Sequence, residues 1–453
     1  MMRRRDVLAA VPAMMLAGGL SGSRAVAQSR SAAWPRYGYD LANTRWNRSE
    51  RTIGRDNVAQ LQRRWSAHTS GPIQTSPVIA GGLVIHGAHD HNVYALDART
   101  GAQRWSAQPP GNRTVPPYEQ GIRASFDAAD GRLYFIDGRT VAHCVDLATG
   151  REHWATQLDE QAARHMATSR HAPAVHGNFA VFGHAGFQPQ IACLDTRTGR
   201  VLWRFYTGHG SLWTSSAIDE ETGIVYNVTG DTREARAGDP ALYSESILAQ
   251  DLESGELLWY RQLEPADPYN LDFSCHPVLF NAIGPNGAQR KCVGAGNKRG
   301  FYVWDRLTGD FLWRSQLTPA SMFGGPQTDS TAFAHNRIYL LSNAFSADHP
   351  PTCVAACLNA YTGDIEWWVH NVAPTTCGVA VANGVFYVGL ANGLMRAFDA
   401  ATGAVLWEDR IGSACRGVVV ANGMLYAVEG EVYIRDQLRP EGYRLHAYGV
   451  GAT

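Results

Sequence analysis

Asp305-Arg306-Leu307-Thr308-Gly309-Asp310-Phe311-Leu312-Trp313 is the stretch from which the fold is read. Its skeleton is an Asp, then Thr-Gly at the third and fourth positions after it, then Trp at the eighth. Phe301 to Asp305 read as a strand, Thr308-Gly309 as a turn and Phe311 to Trp313 as the start of the returning strand. Asp suits such a turn because its carboxylate accepts local backbone N–H groups, and Gly because it takes positive φ without steric cost. The same Gly and Trp spacing recurs from Asp97 to Trp105, Asp146 to Trp154, Asp195 to Trp203, Asp251 to Trp259, Asn359 to Trp367 and Asp399 to Trp407, seven copies in all. Internal repeats of about 40–50 residues signal a propeller or a solenoid. Trp65 has no such partner upstream, and Arg444 to Val450 reads as a strand with no Trp after it. Each supplies what the other lacks, and pairing them in one shared blade leaves no open sheet edge. The expectation is an all-β chain: an eight-bladed β-propeller closed by the C-terminal strand, with a Trp locking each blade to its neighbour.

Composition agrees with one large ring. The 453 residues are 45% hydrophobic and 18% charged, enough to build an extensive core. A net charge of -1 argues against nucleic acid or an anionic membrane surface as partner, since both demand a basic face. Lysine is almost absent: Lys291 and Lys298 stand among 40 basic residues that are otherwise arginine.

Residues 1–27 read as an export signal and residues 28–453 as the propeller. Arg3-Arg4-Arg5-Asp6-Val7-Leu8 precedes the apolar run Ala9 to Leu20, and Ala25-Val26-Ala27 is a small-x-small cleavage site. The paired arginines are similar to a twin-arginine signal, and an ordinary secretory signal is the alternative. The apolar run is too short to span a membrane. A soluble periplasmic protein is the expectation. The eight cysteines lack C-x-x-C-H and paired C-x-x-C spacings, so neither covalent haem nor structural zinc is expected, and Cys144 and Cys193 read as small buried hydrophobes in strands. His86-Gly87-Ala88-His89-Asp90-His91 reads as a hairpin turn before Val93 to Asp97 in preference to a metal site.

The Asp-x-x-Thr-Gly-x-x-x-Trp unit resembles the repeat of the pyrroloquinoline-quinone (PQQ) dehydrogenases, and of non-catalytic relatives such as the outer-membrane assembly lipoprotein. Three stretches draw the chain toward the dehydrogenases: Trp34 to Arg45 with Asn57-Val58; Trp213-Thr214-Ser215-Ser216 with Val225 to Asp231; and Leu271 to Leu279 with Gly296-Asn297-Lys298-Arg299-Gly300. Gly324-Gly325-Pro326-Gln327 is similar to the polyvinyl-alcohol dehydrogenase branch. Such an enzyme oxidises an alcohol with PQQ polarised by Ca2+ and passes electrons to a separate acceptor such as a cytochrome c. The resemblance implies Asp272 as catalytic base and metal ligand, Asp231 as calcium ligand, Lys298 beside the quinone oxygens and Trp213 stacked on the quinone plane. Asp272 also reads as an acid in an apolar strand, costly unless paired with a metal or cation. Plainer readings stand beside these: a buried Asp tying down a loop, a turn Asp after Gly230, an exposed turn cation at Lys298 and a blade-packing Trp213.

Departures from the family are visible as well. Gln188 falls where a glutamate calcium ligand is expected, Arg170 where a small hydroxyl residue contacts the cofactor, and Ala124-Ser125 where many members carry vicinal cysteines. Arg170, Gln188 and Gln327 complete the expected cofactor surroundings, with Gln188 a carbonyl ligand to the metal. Two functions remain: an exported quinoprotein alcohol dehydrogenase, or a periplasmic propeller that kept the ring as a scaffold and lost the cofactor.

Overall fold

The computed structural model describes residues 33–109, 121–161, 170–185, 188–230, 240–265, 267, 269–321, 324–345, 350–371, 373–375, 377–412, 414–430 and 443–451, without the side chains of 327–330. The export-signal expectation for residues 1–27 lies outside them. The described strands form eight sheets of antiparallel neighbours, except that the short strand Trp46–Asn47 adds in parallel to Ala380–Ala382. Blades 1 to 7 follow in chain order at 78–107, 127–157, 174–206, 217–262, 278–315, 325–371 and 380–410. Blade 8 joins strands 414–449 to the N-terminal strand Gln62–Thr69, which pairs with Tyr443–Gly449 and sets Trp65 opposite Ala447. The shared closing blade expected from the two unmatched ends is therefore present.

The repeat motif explains how the blades hold one another. Asp97 Oδ1 accepts the N–H groups of Arg99 and Thr100 and the Thr100 hydroxyl at 2.8–3.1 Å, and Asp195 repeats the set with Arg197 and Thr198. That turn brings Gly255 to φ +76 in blade 4, and a Cβ there would stand 2.5 Å from the Trp203 ring of blade 3. Trp203 Nε1 then donates to Leu252 O at 2.9 Å. Trp105, Trp154, Trp313 and Trp367 make the same bond to the following blade, so one motif supplies both the turn and the lock. Gly255→Ala should cost at least about 1–2 kcal/mol from the left-handed backbone alone, before Trp203 is displaced. Its denaturation midpoint should fall; an unchanged midpoint would count against the lock.

The lead-in segment has a role that its sequence did not announce. It passes the first strand of every blade and bonds a backbone group of each. The N–H groups of Ile79, Ala128, Ile218, Leu279, Phe333 and Val381 donate to the carbonyls of Trp34, Pro35, Leu41, Ala42, Thr44 and Arg45 at 2.7–2.9 Å. In the remaining two blades, Val175 O accepts from Arg36 Nη1 and Val420 O from Asn47 Nδ2. First strands are sheet edges with unspent backbone groups, so the segment satisfies them and closes the axis at that end. Trp34, Tyr37 and Arg45 are buried within it.

Candidate functional site

The opposite ends of the first strands carry the polar groups. Trp213 stands four residues before the first strand of blade 4, Ala217–Asp219, and Asp272 precedes that of blade 5, Val278–Ile283. Asp272 is not in a ladder strand, as its apolar neighbours suggested; it lies in an extended run in which Phe273 forms an isolated bridge to Asn297. Because this run joins the rim loop to the blade, its side chains face both core and mouth: Phe273 and Cys275 are in the core while Asp272 meets Lys298.

Lys298 occupies the hairpin turn between strands Gln289–Asn297 and Gly300–Asp305, shaped by Asn297 Oδ1 accepting the N–H groups of Arg299 and Gly300. A turn lysine is ordinarily solvated, but this residue is only 8% exposed. Gly325 of blade 6, at φ +67, lies on it so closely that a Cβ would be 2.7 Å from Lys298 Cα. The ammonium donates to Asp272 Oδ1, to Asn270 O at 2.8 Å and to Asn270 Oδ1 at 2.6 Å. A carboxylate and an ammonium this buried offset one another only when well hydrogen-bonded, as here.

The loop that presents Asn270 has its own anchor. Asp267 accepts the N–H of Tyr269 at 2.9 Å and that of Leu271. Burial pushes the Asp267 carboxyl up, but a hydrogen bond with Glu245, those two N–H groups and the charge of Arg299 outweigh it and hold its pKa below the usual carboxylate range. A Cβ on Gly230 would stand 2.6 Å from Asp272 Oδ2 and 2.7 Å from Trp213 Nε1, so the acid and the indole converge over bare backbone. Trp213 Nε1 meets no hydrogen-bond partner among the described residues.

The other expected residues are distributed differently. Asp231 lies outside the described residues, as does the side chain of Gln327, whose backbone follows Pro326 in the first strand of blade 6. Gln188 is exposed, with its N–H on Asp159 Oδ2 at 3.3 Å. Ser125, at the place of the missing cysteines, donates to Ser76 O. Arg170 belongs to a basic group that sequence reading did not assemble. Gln74, Arg123, Arg170 and Trp213 occupy the same position, four residues before the first strand, in blades 1 to 4. Arg123 Nε donates to Gln74 Oε1 at 3.3 Å. Arg416 is the extra residue of a β-bulge in the first strand of blade 8. This common position was the signal available in the sequence once the blades were aligned. Among the described residues no group of three or more His, Cys, Asp or Glu side chains gathers to hold a metal ion, and no helix is long and apolar enough to cross a membrane.

Comparisons with known proteins agree with this architecture. A family model described as the glucose/ethanol/alcohol dehydrogenase β-propeller domain matches residues 187–332. A second, described as outer membrane protein assembly factor BamB, matches residues 59–203 and 352–445. The chain is 25% identical to quinohemoprotein alcohol dehydrogenase of Comamonas testosteroni over 90% of its own length and 72% of that protein. It is 23% identical to a polyvinylalcohol dehydrogenase of a Pseudomonas species, covering 88% and 73% of the two chains. The crystal structure of the Comamonas testosteroni enzyme superimposes with a TM-score of 0.81 at 21% identity, over 93% of this chain and 81% of that one.

Proposed function

The chain belongs to the PQQ-type β-propeller family of the quinoprotein alcohol dehydrogenases, and from that membership we propose that it oxidises an alcohol group with PQQ and Ca2+ as an exported enzyme and yields the electrons to a separate, cytochrome c-like acceptor. The single observation that carries this reading is the buried Asp272–Lys298–Asn270 group beside Trp213 at the mouth of blades 4 and 5. A scaffold gains nothing from an ion pair withdrawn from water, where desolvation cancels most of the attraction.

The residues fit the quinone: a flat indole with an unspent N–H, a bare glycine backbone at Gly230 and a buried cation suit a planar ligand with electronegative edges. When bound, the quinone polarised by its metal ion supplies an electrophilic carbonyl that accepts two electrons from the alcohol carbon. Asp272 takes the hydroxyl proton. Lys298 keeps that carboxylate ionised and aimed, Asn270 fixes Lys298, and Trp213 provides the stacking face. For the metal, Asp231 and Asp272 are the proposed ligands. Gln188, exposed and engaged through its N–H with Asp159, would offer the metal only an uncharged side-chain carbonyl. Gln327, next to Pro326 against the Lys298 turn, remains a proposed cofactor contact.

The match to the assembly-factor model favours a second reading, a propeller scaffold without cofactor. Titrating metal-stripped protein with PQQ and Ca2+ separates the two. On the enzyme reading, quinone absorbance reports saturable, calcium-dependent binding, and ligand at a hundred times Kd stabilises the fold by about 2.7 kcal/mol. Asp272→Ala should abolish the calcium dependence. No binding at saturating cofactor would overturn the enzyme reading and leave the scaffold.

A further inference from the structure

The tryptophan locks run around the ring with one gap. From Trp65 to Trp367, each repeat tryptophan covers the turn glycine of the following blade, Gly101 to Gly403, where a Cβ would stand 2.5–2.7 Å from the ring. Trp407 of blade 7 covers no such glycine among the described residues. The reason is topological: the last two strands of blade 8, Tyr443–Gly449 and Gln62–Thr69, come from opposite ends of the chain, so no Asp-x-x-Thr-Gly turn joins them. The Trp407 ring meets Tyr448 edge-on instead, with centroids 5.6 Å apart. The seam between blades 7 and 8 is therefore built differently from the rest.

Two thiols meet at that seam. Gly378 and Gly417, one from each blade, form an isolated parallel bridge in which the Gly378 N–H donates to Arg416 O and the Val418 N–H to Gly378 O, both at 3.3 Å. Bridged backbones lie about 4.7–4.9 Å apart, inside the Cα separation of about 4.4–6.8 Å that a disulfide spans. Arg416 is the bulged residue, so Cys415 comes opposite Cys377, and their sulfurs are 3.7 Å apart. Gly389 leaves the room: a Cβ there would fall within 2.7 Å of both sulfurs. Both side chains are fully buried in one apolar cluster. Cys353 and Cys357, by contrast, sit four residues apart in one strand, about 13 Å along it and out of reach of each other.

We propose that Cys377 and Cys415 are a cross-linking site, whose disulfide staples blade 7 to blade 8 where the tryptophan lock is missing. The assignment is independent of the cofactor and of alcohol oxidation. The oxidant is a disulfide, small or protein-borne, of the kind met outside a reducing cytoplasm. One Cys thiolate attacks it and releases the first carrier thiol; the second Cys then attacks the mixed disulfide and releases the other. The two cysteines lose two electrons and two protons, and the carrier disulfide leaves as two thiols. Burial and the Cys415 thiol push the Cys377 pKa well above its ordinary value, so the closed seam holds little thiolate and the exchange takes place before the two blades close. The bond ties residues 38 apart, and it stabilises by restricting the unfolded chain.

The test makes the full-length protein in a reducing and in an oxidising compartment, counts thiols with a chromogenic aryl disulfide in guanidinium, and maps the bond by mass spectrometry of a non-reduced digest. The oxidised protein should show two thiols fewer than the eight of the sequence, and a peptide pair joining Cys377 to Cys415 that reductant separates. Its thermal midpoint should exceed that of the reduced form by about 3–5 °C. The double variant Cys377→Ala/Cys415→Ala should lose this dependence on redox state, and Cys353→Ala should keep it. Eight thiols in the oxidised preparation, or a bond between any other pair, overturns the cross-linking site. A Cys377–Cys415 bond that leaves the midpoint unchanged or lowers it overturns the staple.

Discussion

Asp272→Asn should lower turnover of an alcohol, followed with an artificial dye acceptor, by about 100- to 10,000-fold while leaving the fold intact, the range in which a positioned base contributes. Asn preserves the shape and can still accept from Lys298 through Oδ1, but it cannot take the hydroxyl proton. The partner substitution gives a different signature. In Lys298→Met the carboxylate loses the cation that favours its charged form, so its pKa rises and the base becomes available only at higher pH. The acid limb of kcat/KM should therefore move upward in pH. Loss of activity in Lys298→Met without that movement would assign Lys298 a contact with the cofactor alone. Activity within a few-fold of wild type in Asp272→Asn would remove Asp272 from the chemistry.

Arg45→Ala should destabilise the propeller by about 3–5 kcal/mol, the cost of breaking a buried charged network, and reduce its denaturant midpoint accordingly. Arg45 is completely buried. Its Nε donates to Val379 O at 2.6 Å and its Nη1 to Tyr37 O at 2.8 Å, and its guanidinium lies 5.2–5.6 Å from the Tyr37 and Trp34 rings. One side chain thus ties blade 7 to the segment that crosses the axis. Removing it takes the charged donor from the buried Val379 carbonyl and leaves Tyr37 O with only the long bond from Trp34 Nε1 at 3.4 Å. Asn43→Ala, which loses bonds to Ser216 O and Pro277 O between blades 4 and 5, should cost less because no charge is involved. A loss below about 1 kcal/mol in Arg45→Ala would mean that the lead-in segment rests on the ring without bracing it.

The chemistry at the site was legible only in parts. Asp272 and Trp213 were visible as an acid among apolar residues and as the head of a blade, yet the strand assigned to Asp272 is an extended run, since its backbone bonds to Gly296 and not along a full ladder. The burial of Lys298 could not be read from a turn sequence, because it comes from Gly325 of the next blade. Asn270, which no motif marks, holds the ammonium. Arg123, Arg170 and Arg416 stood nearly 300 residues apart with no motif joining them.

By itself the sequence determined the ring: seven Asp/Asn-to-Trp units and two unmatched ends specify eight blades and their closure. The turn, the glycine φ and the tryptophan that covers that glycine are local or nearest-neighbour events, and such events leave a period in the chain. The tertiary structure alone decided what happens at the axis, where one non-repeating segment bonds all eight first strands at one end and side chains from blades 1 to 5 and 8 meet at the other. Those contacts join residues at unrelated separations, and only the angular closure of the ring, which no periodicity encodes, sets which of them face each other.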